Sequence, residues 1–204
     1  GVEVGGYLYC LDQIKGINYV TATLLHGKKS LQLNSNAKKM TKWRRASYEP
    51  LIRTRRDYFD VCSIFNECSR LYVVGSQPVI HTDSRQNYKL EFPCMNLLHS
   101  LLTGVELDFT SGMRTFFGGS MFVASLDYLN LVFKGREMEI YKKLELGFDP
   151  VTKYTITSNT LAHAFERIVG GEVLVNYYGG YLLTKRAIHE QYIGSTNKIR
   201  YIQI

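Results

Sequence analysis

Nucleotidyl transfer starts from small residues that turn tightly beside a phosphate and ends on closely spaced acids that hold a metal ion. Gly118-Gly119-Ser120 supplies such a turn, and Asp127, Glu137 and Glu139 follow it. Asp127 stands alone, however, and Glu137 and Glu139 come well downstream with Lys on both sides. Ser111-Gly112 with Thr115 raises related phosphate chemistry, which would need a paired-aspartate turn; the chain has no Asp-Asp dipeptide. Lys134, Arg136 and Glu137 gather around Gly135 as the groups of a catalytic loop would. His26, His81, His99, His163 and His189 are scattered singly, and no G-x-S-x-G, H-E-x-x-H, P-loop or G-x-G-x-x-G motif occurs. Cys62 and Cys68 are separated by five residues, wider than common zinc spacings, so these two, with Cys10 and Cys94, read as buried free thiols in a reducing compartment. These patterns predict no catalytic residue, no metal and no cofactor; an enzyme of nucleotide chemistry remains an alternative that would depend on Asp127.

Charge is more informative. The chain carries +7, and Lys28, Lys29, Lys38, Lys39, Lys42, Arg44, Arg45, Arg53, Arg55 and Arg56 face one acid, Glu49, across residues 28–56. That segment is therefore 10 − 1 = +9, and the remainder is 7 − 9 = −2. Up to Met40 it is poor in apolar residues and rich in Asn, Ser and Lys, which reads as a loop or extended arm. Lys38, Lys39, Lys42, Arg44, Arg45, Arg53, Arg55 and Arg56 could track a phosphate backbone, with the Trp43 indole available for stacking. No base-reading pattern accompanies them, so binding would follow charge rather than sequence. The same residues could instead meet an acidic neighbouring subunit.

The elements that would position these groups read mainly as strands. Fifteen Tyr and ten Phe in 204 residues, with short runs of Val, Ile and Thr, favour β structure. Strand-like runs occur in YLYCLDQI, INYVTATLLHG, YFDVCSIFNECSRLYVV, VELDFTSG, YTIT, EVLVNYYGGYLLT and KIRYIQI. Two short helices are expected, one over residues 94–102 ending at Gly104 and one over residues 121–133; TLAHAF could add a single turn. After Gly135, Met138 and Ile140 share a strand face. The predicted fold is mainly β, an antiparallel β-sandwich of jelly-roll, Greek-key type with two short helices. It divides into an extended N-terminal segment with a basic arm, 1–57, and a sandwich domain, 58–204. No apolar stretch reaches the length of a membrane span, and the N-terminus has no signal-peptide pattern.

Two fragments carry a family resemblance. Leu126, Tyr128 and Phe133 in LDYLNLVFKGREMEIYKK follow the L-x-Y-x-x-x-x-F spacing that precedes a central strand in jelly-roll capsid proteins of picorna-like viruses, here with Lys134-Gly135-Arg136 where the family carries Trp-Arg-Gly. SYEPLIRTRRDY resembles the S-x-R-x-L-I-R-R element of the insect-infecting members. The N-terminal Gly is similar to the residue a viral cysteine protease leaves when it cuts a polyprotein. The resemblance implies a capsid subunit of an icosahedral RNA-virus shell, assembled in the host cytoplasm. Other capsid subunits would be its partners, and its basic arm would meet genomic RNA or a neighbour. A non-sequence-specific RNA-binding module using the same segment is the alternative.

Overall fold

A computed structural model describes residues 2–14, 21–24, 45–76, 78–81, 86–108, 114–143 and 160–185. In chain order the elements are α1 (Val2–Gln13), β1 (Thr21–Leu24), α2 (residues 45–52), α3 (Arg55–Glu67), β2 (Leu71–Gly75), β3 (Pro78–His81), α4 (Gln86–Thr103) and β4 (Arg114–Phe117). A 3-10 turn, Gly118–Ser120, leads into β5 (Phe122–Ser125), followed by α5 (Leu126–Phe133), α6 (Glu137–Lys143), α7 (Leu161–Val169), α8 (Glu172–Tyr177) and β6 (Tyr181–Thr184). The described residues are mostly helical with a small sheet, so the expected mainly β jelly-roll sandwich is incorrect. The predicted division between residues 57 and 58 falls inside α3.

Four strands form one sheet in the order β1-β5-β2-β6, with β5 antiparallel to both its neighbours and β2 parallel to β6. β3 and β4 pair separately and antiparallel. β3 follows β2 and β4 precedes β5, so the same two stretches of chain pair twice, before and after the Gly118–Ser120 coil. Gly119 there has φ 72°, a conformation that glycine adopts without steric cost.

The sheet is covered on both faces. Val73, Phe122 and Ala124 point into a large core shared with α1, α4, α5, α6, α7 and α8. Val74, Val123 and Leu183 point the other way, into a smaller core with Leu51 of α2 and Val61, Ile64 and Phe65 of α3. Alternation along β5 is regular, but β2 breaks it: Leu71 and Val74 face the small core, whereas Tyr72 and Val73 both pack on the large one. The cause is a bulge, in which Leu71 and Val73 oppose the consecutive residues Tyr181 and Leu182.

Several elements read as strands are helices, for a common reason. In α1 the residues that bury are Val4, Leu8 and Leu11, a helical spacing hidden within the alternation of YLYCL. In α3 they are Val61, Ile64 and Phe65. The Met138-to-Ile140 alternation lies in α6, whose acids stand in the first turn and bases in the last, as the helix dipole favours. TLAHAF opens a nine-residue helix, α7, begun by the Thr160 cap on the His163 N–H. The predicted helix over 94–102 belongs to α4, which continues back through Pro93 to Gln86. The predicted helix over 121–133 is strand β5 up to Ser125, and only from Leu126 a helix. Residues 105–108 of VELDFTSG form no strand, and the stretches YTIT and KIRYIQI lie outside the described residues.

α4 packs against α7. Across that contact Arg167 holds Glu91 with both ends of its fork, Nε to Oε2 at 2.5 Å and Nη2 to Oε1 at 2.7 Å. Both side chains are largely buried, 12% and 6% exposed. Removing one partner leaves the other charged and desolvated, so Glu91→Leu should cost about 3–5 kcal/mol, whereas Glu91→Leu with Arg167→Met should recover most of it. Urea unfolding of both variants checks this, and a double variant no more stable than the single one would contradict it.

A second constraint is a close approach. A Cβ at Gly75 would lie 2.2 Å from the ring of buried Phe117. Gly75→Ala should therefore lower stability by about 1–3 kcal/mol. Phe117→Leu in the same chain should return part of the loss, a recovery readable as a shift in unfolding midpoint.

Candidate nucleic-acid interface

The described end of the basic segment is helical and not the expected extended arm. Residues 45–52 are helical and Arg55 opens α3, so its last bases ride on two helices covering the smaller core. Lys38, Lys39, Lys42, Trp43 and Arg44 lie outside the described residues. Arg45, Arg53, Arg55 and Arg56 are all exposed. Arg45 lies 3.9 Å from Glu49 one turn on, an exposed pair that neutralises little. Among the described residues no carboxylate comes within ion-pair distance of Arg53, Arg55 or Arg56.

The three arginines stand close together in the chain around the start of α3. Thr54 has extended backbone, its Oγ1 accepts from the Asp57 N–H at 3.1 Å, and Asp57 Oδ2 accepts from the Thr54 N–H at 3.0 Å and from the Thr54 hydroxyl at 2.7 Å. This capping box fixes the turn, with Arg53 before it and Arg55 and Arg56 as the first helical residues. Two bases at that position oppose the helix dipole, since the N-terminal end of a helix is its positive end. Asp57 is the one acid in that turn, and its carboxylate is engaged by Thr54 and lies 4.0 Å from Lys185 Nζ. Lys185, just past β6, also donates to the Asp57 carbonyl at 3.2 Å. The nearest acid to the arginines is thus hydrogen-bonded within the cap.

The outward face of α3 continues the patch. Arg55 and Phe59 are one turn apart, and the guanidinium lies over the ring at 5.2 Å from its centre. Ser63, a further turn on, donates its hydroxyl to the Phe59 carbonyl. The inward side is tied to the sheet, where the Tyr58 hydroxyl and Thr21 Oγ1 are 3.2 Å apart and Thr21 meets the Cys62 thiol at 3.6 Å. Phe59, Thr54, Asp57 and Lys185 were not among the residues predicted from the sequence. The first three had a readable signal: Thr-x-x-Asp just before an apolar run is a capping pattern, and a helix begun there sets Phe59 beside Arg55.

The acids considered for catalysis lie on α5 and α6. Asp127 and Glu139 are exposed on α5 and α6, whereas Glu137 is buried. Lys134 ends α5 in the left-handed conformation, φ 49°, and Arg136 donates to the Leu102 carbonyl at the end of α4, 3.2 Å away. Among the described residues no group of three or more His, Cys, Asp or Glu could hold a metal ion, and no helix is long and apolar enough to cross a membrane. The four cysteines are free thiols; Cys10 is exposed and the others are half-buried, so the expectation of burial fails for Cys10. His99 is buried, and desolvation lowers its pKa against the opposing effect of its 2.8 Å contact with the Val105 carbonyl.

No protein-family model, no curated protein and no solved structure matches the chain.

The Thr54 hydroxyl, first among the causes, holds the Asp57 pKa below its ordinary 3.8, with the Thr54 N–H, Lys185 and Arg53 acting the same way against desolvation. A depressed folded pKa contributes stability that is complete above the unfolded value and is lost as pH falls through the folded one. Thr54→Ala should thus raise the Asp57 pKa towards 3.8 and cost about 1 kcal/mol near neutral pH. The gap between wild type and variant should narrow on acidification. Carboxyl-carbon NMR titration with unfolding at two pH values tests this; an unmoved Asp57 pKa would contradict it.

Proposed function

We propose that the protein binds nucleic acid without sequence specificity, through the basic segment that ends on α2 and α3. The observation that carries this reading is the placement of Arg53, Arg55 and Arg56. All three are exposed, have no carboxylate within ion-pair distance among the described residues and stand around the start of one helix. Arginines at the positive end of a helix are unfavourable for the helix itself. They suit a polyanion, which meets arginine charge and helix field together. They also lie at the end of the segment of charge +9, so the six bases from Lys28 to Arg44 precede them in the chain.

The capsid-shell expectation has lost its support from fold, because the jelly-roll sandwich it implied is replaced by a mostly helical architecture. Only the short sequence fragments remain behind it. The nucleic-acid reading needs neither the sandwich nor a shell.

Binding of this kind releases counterions, so its strength falls with salt in proportion to the phosphates neutralised. Replacing Arg53, Arg55 and Arg56 together by Gln should reduce affinity for random RNA and flatten the plot of log affinity against log salt by about 2, near 0.7 per lost contact. Fluorescence anisotropy across a salt series measures both. An unchanged slope and affinity would overturn the assignment of these three arginines, and closed particles seen by electron microscopy would favour the shell.

A further inference from the structure

We infer that the outward face of α3 takes single-stranded nucleic acid in preference to duplex, with one unstacked base lying on the Phe59 ring. This rests on the proposed nucleic-acid binding and specifies its substrate class.

Phe59 is 52% exposed, in contrast to Phe65 in the same helix, which lies in the core. A lone exposed apolar residue is ordinary. Phe59 differs in its surroundings: Arg55 lies over the ring at 5.2 Å, Arg56 adjoins Arg55 in the first turn, and Arg53 precedes them. Phosphate binding alone would need the arginines and not the ring. The guanidinium covers one face of the half-exposed ring, and the two planar groups together form a stack that a nucleobase can extend from either outer side.

In a duplex the base faces are already occupied by neighbouring base pairs, and a protein at the helix surface meets phosphates and base edges. Only a strand with splayed bases can offer a face to Phe59 while its phosphates reach Arg53 and Arg56. One turn beyond the ring is Ser63, small and hydrogen-bonded to its own helix, so no bulky side chain stands at that position. Of the nearby acids, Asp57 is held in the cap, and Asp60 lies beyond ion-pair distance of Arg56. Stacking reads no base identity, which agrees with binding that is indifferent to sequence.

The test compares a mixed-sequence single strand with a duplex of equal length, using the full chain at fixed salt. Wild type should prefer the single strand. Phe59→Ala should weaken single-strand binding about tenfold, the loss expected for one stack of roughly 1.4 kcal/mol, and leave duplex binding nearly unchanged. Phe59→Tyr should retain the preference. The position is exposed, so circular dichroism of Phe59→Ala should match wild type. Equal affinity for both forms, or a preference that survives Phe59→Ala, overturns this inference while leaving charge-based binding intact. Failure to bind either form overturns both.

Discussion

The Arg167–Glu91 pair is the fixed point around which the larger half of the molecule is arranged. Arg167 also donates Nη1 to the His163 carbonyl at 2.9 Å and lies over the Phe116 ring at 5.2 Å. One side chain therefore touches α4, α7 and β4. A buried ion pair is weak evidence for net stability, but it is demanding in geometry, because any rotation of α7 would leave two desolvated charges unmatched. The chain just beyond α7 depends on that orientation. Gly170 accepts from the Phe117 N–H at 3.1 Å, Gly171 bridges Phe116, and Glu172 Oε2 accepts from the Thr115 N–H at 2.9 Å. Neither glycine has room for a side chain, since a Cβ would meet the Phe122 ring at 2.5 Å or the Arg167 carbonyl at 2.0 Å. The end of α7 is thus fastened to β4 and the start of β5 through backbone, side chain and close approach at once. The Tyr128 hydroxyl adds a bond from α5 to the Val169 carbonyl at 2.9 Å, and full burial drives its pKa well above the usual phenol value.

The other face of the sheet is built on a smaller core, and the bulge in β2 makes it possible. Without it Leu71 and Val73 would lie on the same face, and one of the two cores would lose a residue. With it, Leu71 joins Val74, Val123 and Leu183 beneath α3, while Tyr72 turns to stack on Tyr128 at 5.0 Å between ring centres. A helix that covers a small core buries one stripe and leaves the rest of its surface unconstrained. In α3 that stripe is Val61, Ile64 and Phe65, so Arg55, Arg56 and Phe59 answer to no packing requirement.

The parts of the fold that can be read from the sequence are those with a long or unambiguous period. The Cys94-to-Leu102 helix is visible there, as are the β2 run LYVV and the strand within TATLL. Short apolar runs mislead because alternation over five residues fits either period, and abundant Tyr and Phe tilt the choice towards strand. In the structure Tyr and Phe also pack between helices, as Phe133 does against Phe165 at 6.1 Å. The capsid resemblance has a similar origin. Leu126, Tyr128 and Phe133 are all buried in α5, and a glycine follows where the helix ends. An amphipathic helix closed by glycine produces that pattern in many folds. Of the candidate interface, local charge alone locates Arg53, Arg55 and Arg56; Phe59 escapes because its run reads as a strand.

The start of α3 shows how fold and interface constrain each other. Arg55 and Arg56 each oppose the dipole by about 0.3–1 kcal/mol, so the helix can begin there only if something offsets them. Asp57 does so, but an outward carboxylate would work against the proposed binding of a polyanion by the arginines. Thr54 resolves the conflict by accepting the Asp57 N–H and donating its hydroxyl to the carboxylate, and Lys185 from the end of β6 approaches the same carboxylate. The stabilising acid is thereby hydrogen-bonded within the cap and is 32% exposed, whereas Arg55 and Arg56 are exposed. A cap built from Ser or Asn with no acid three residues on would still begin the helix, yet would leave the arginines' conflict with the dipole unrelieved.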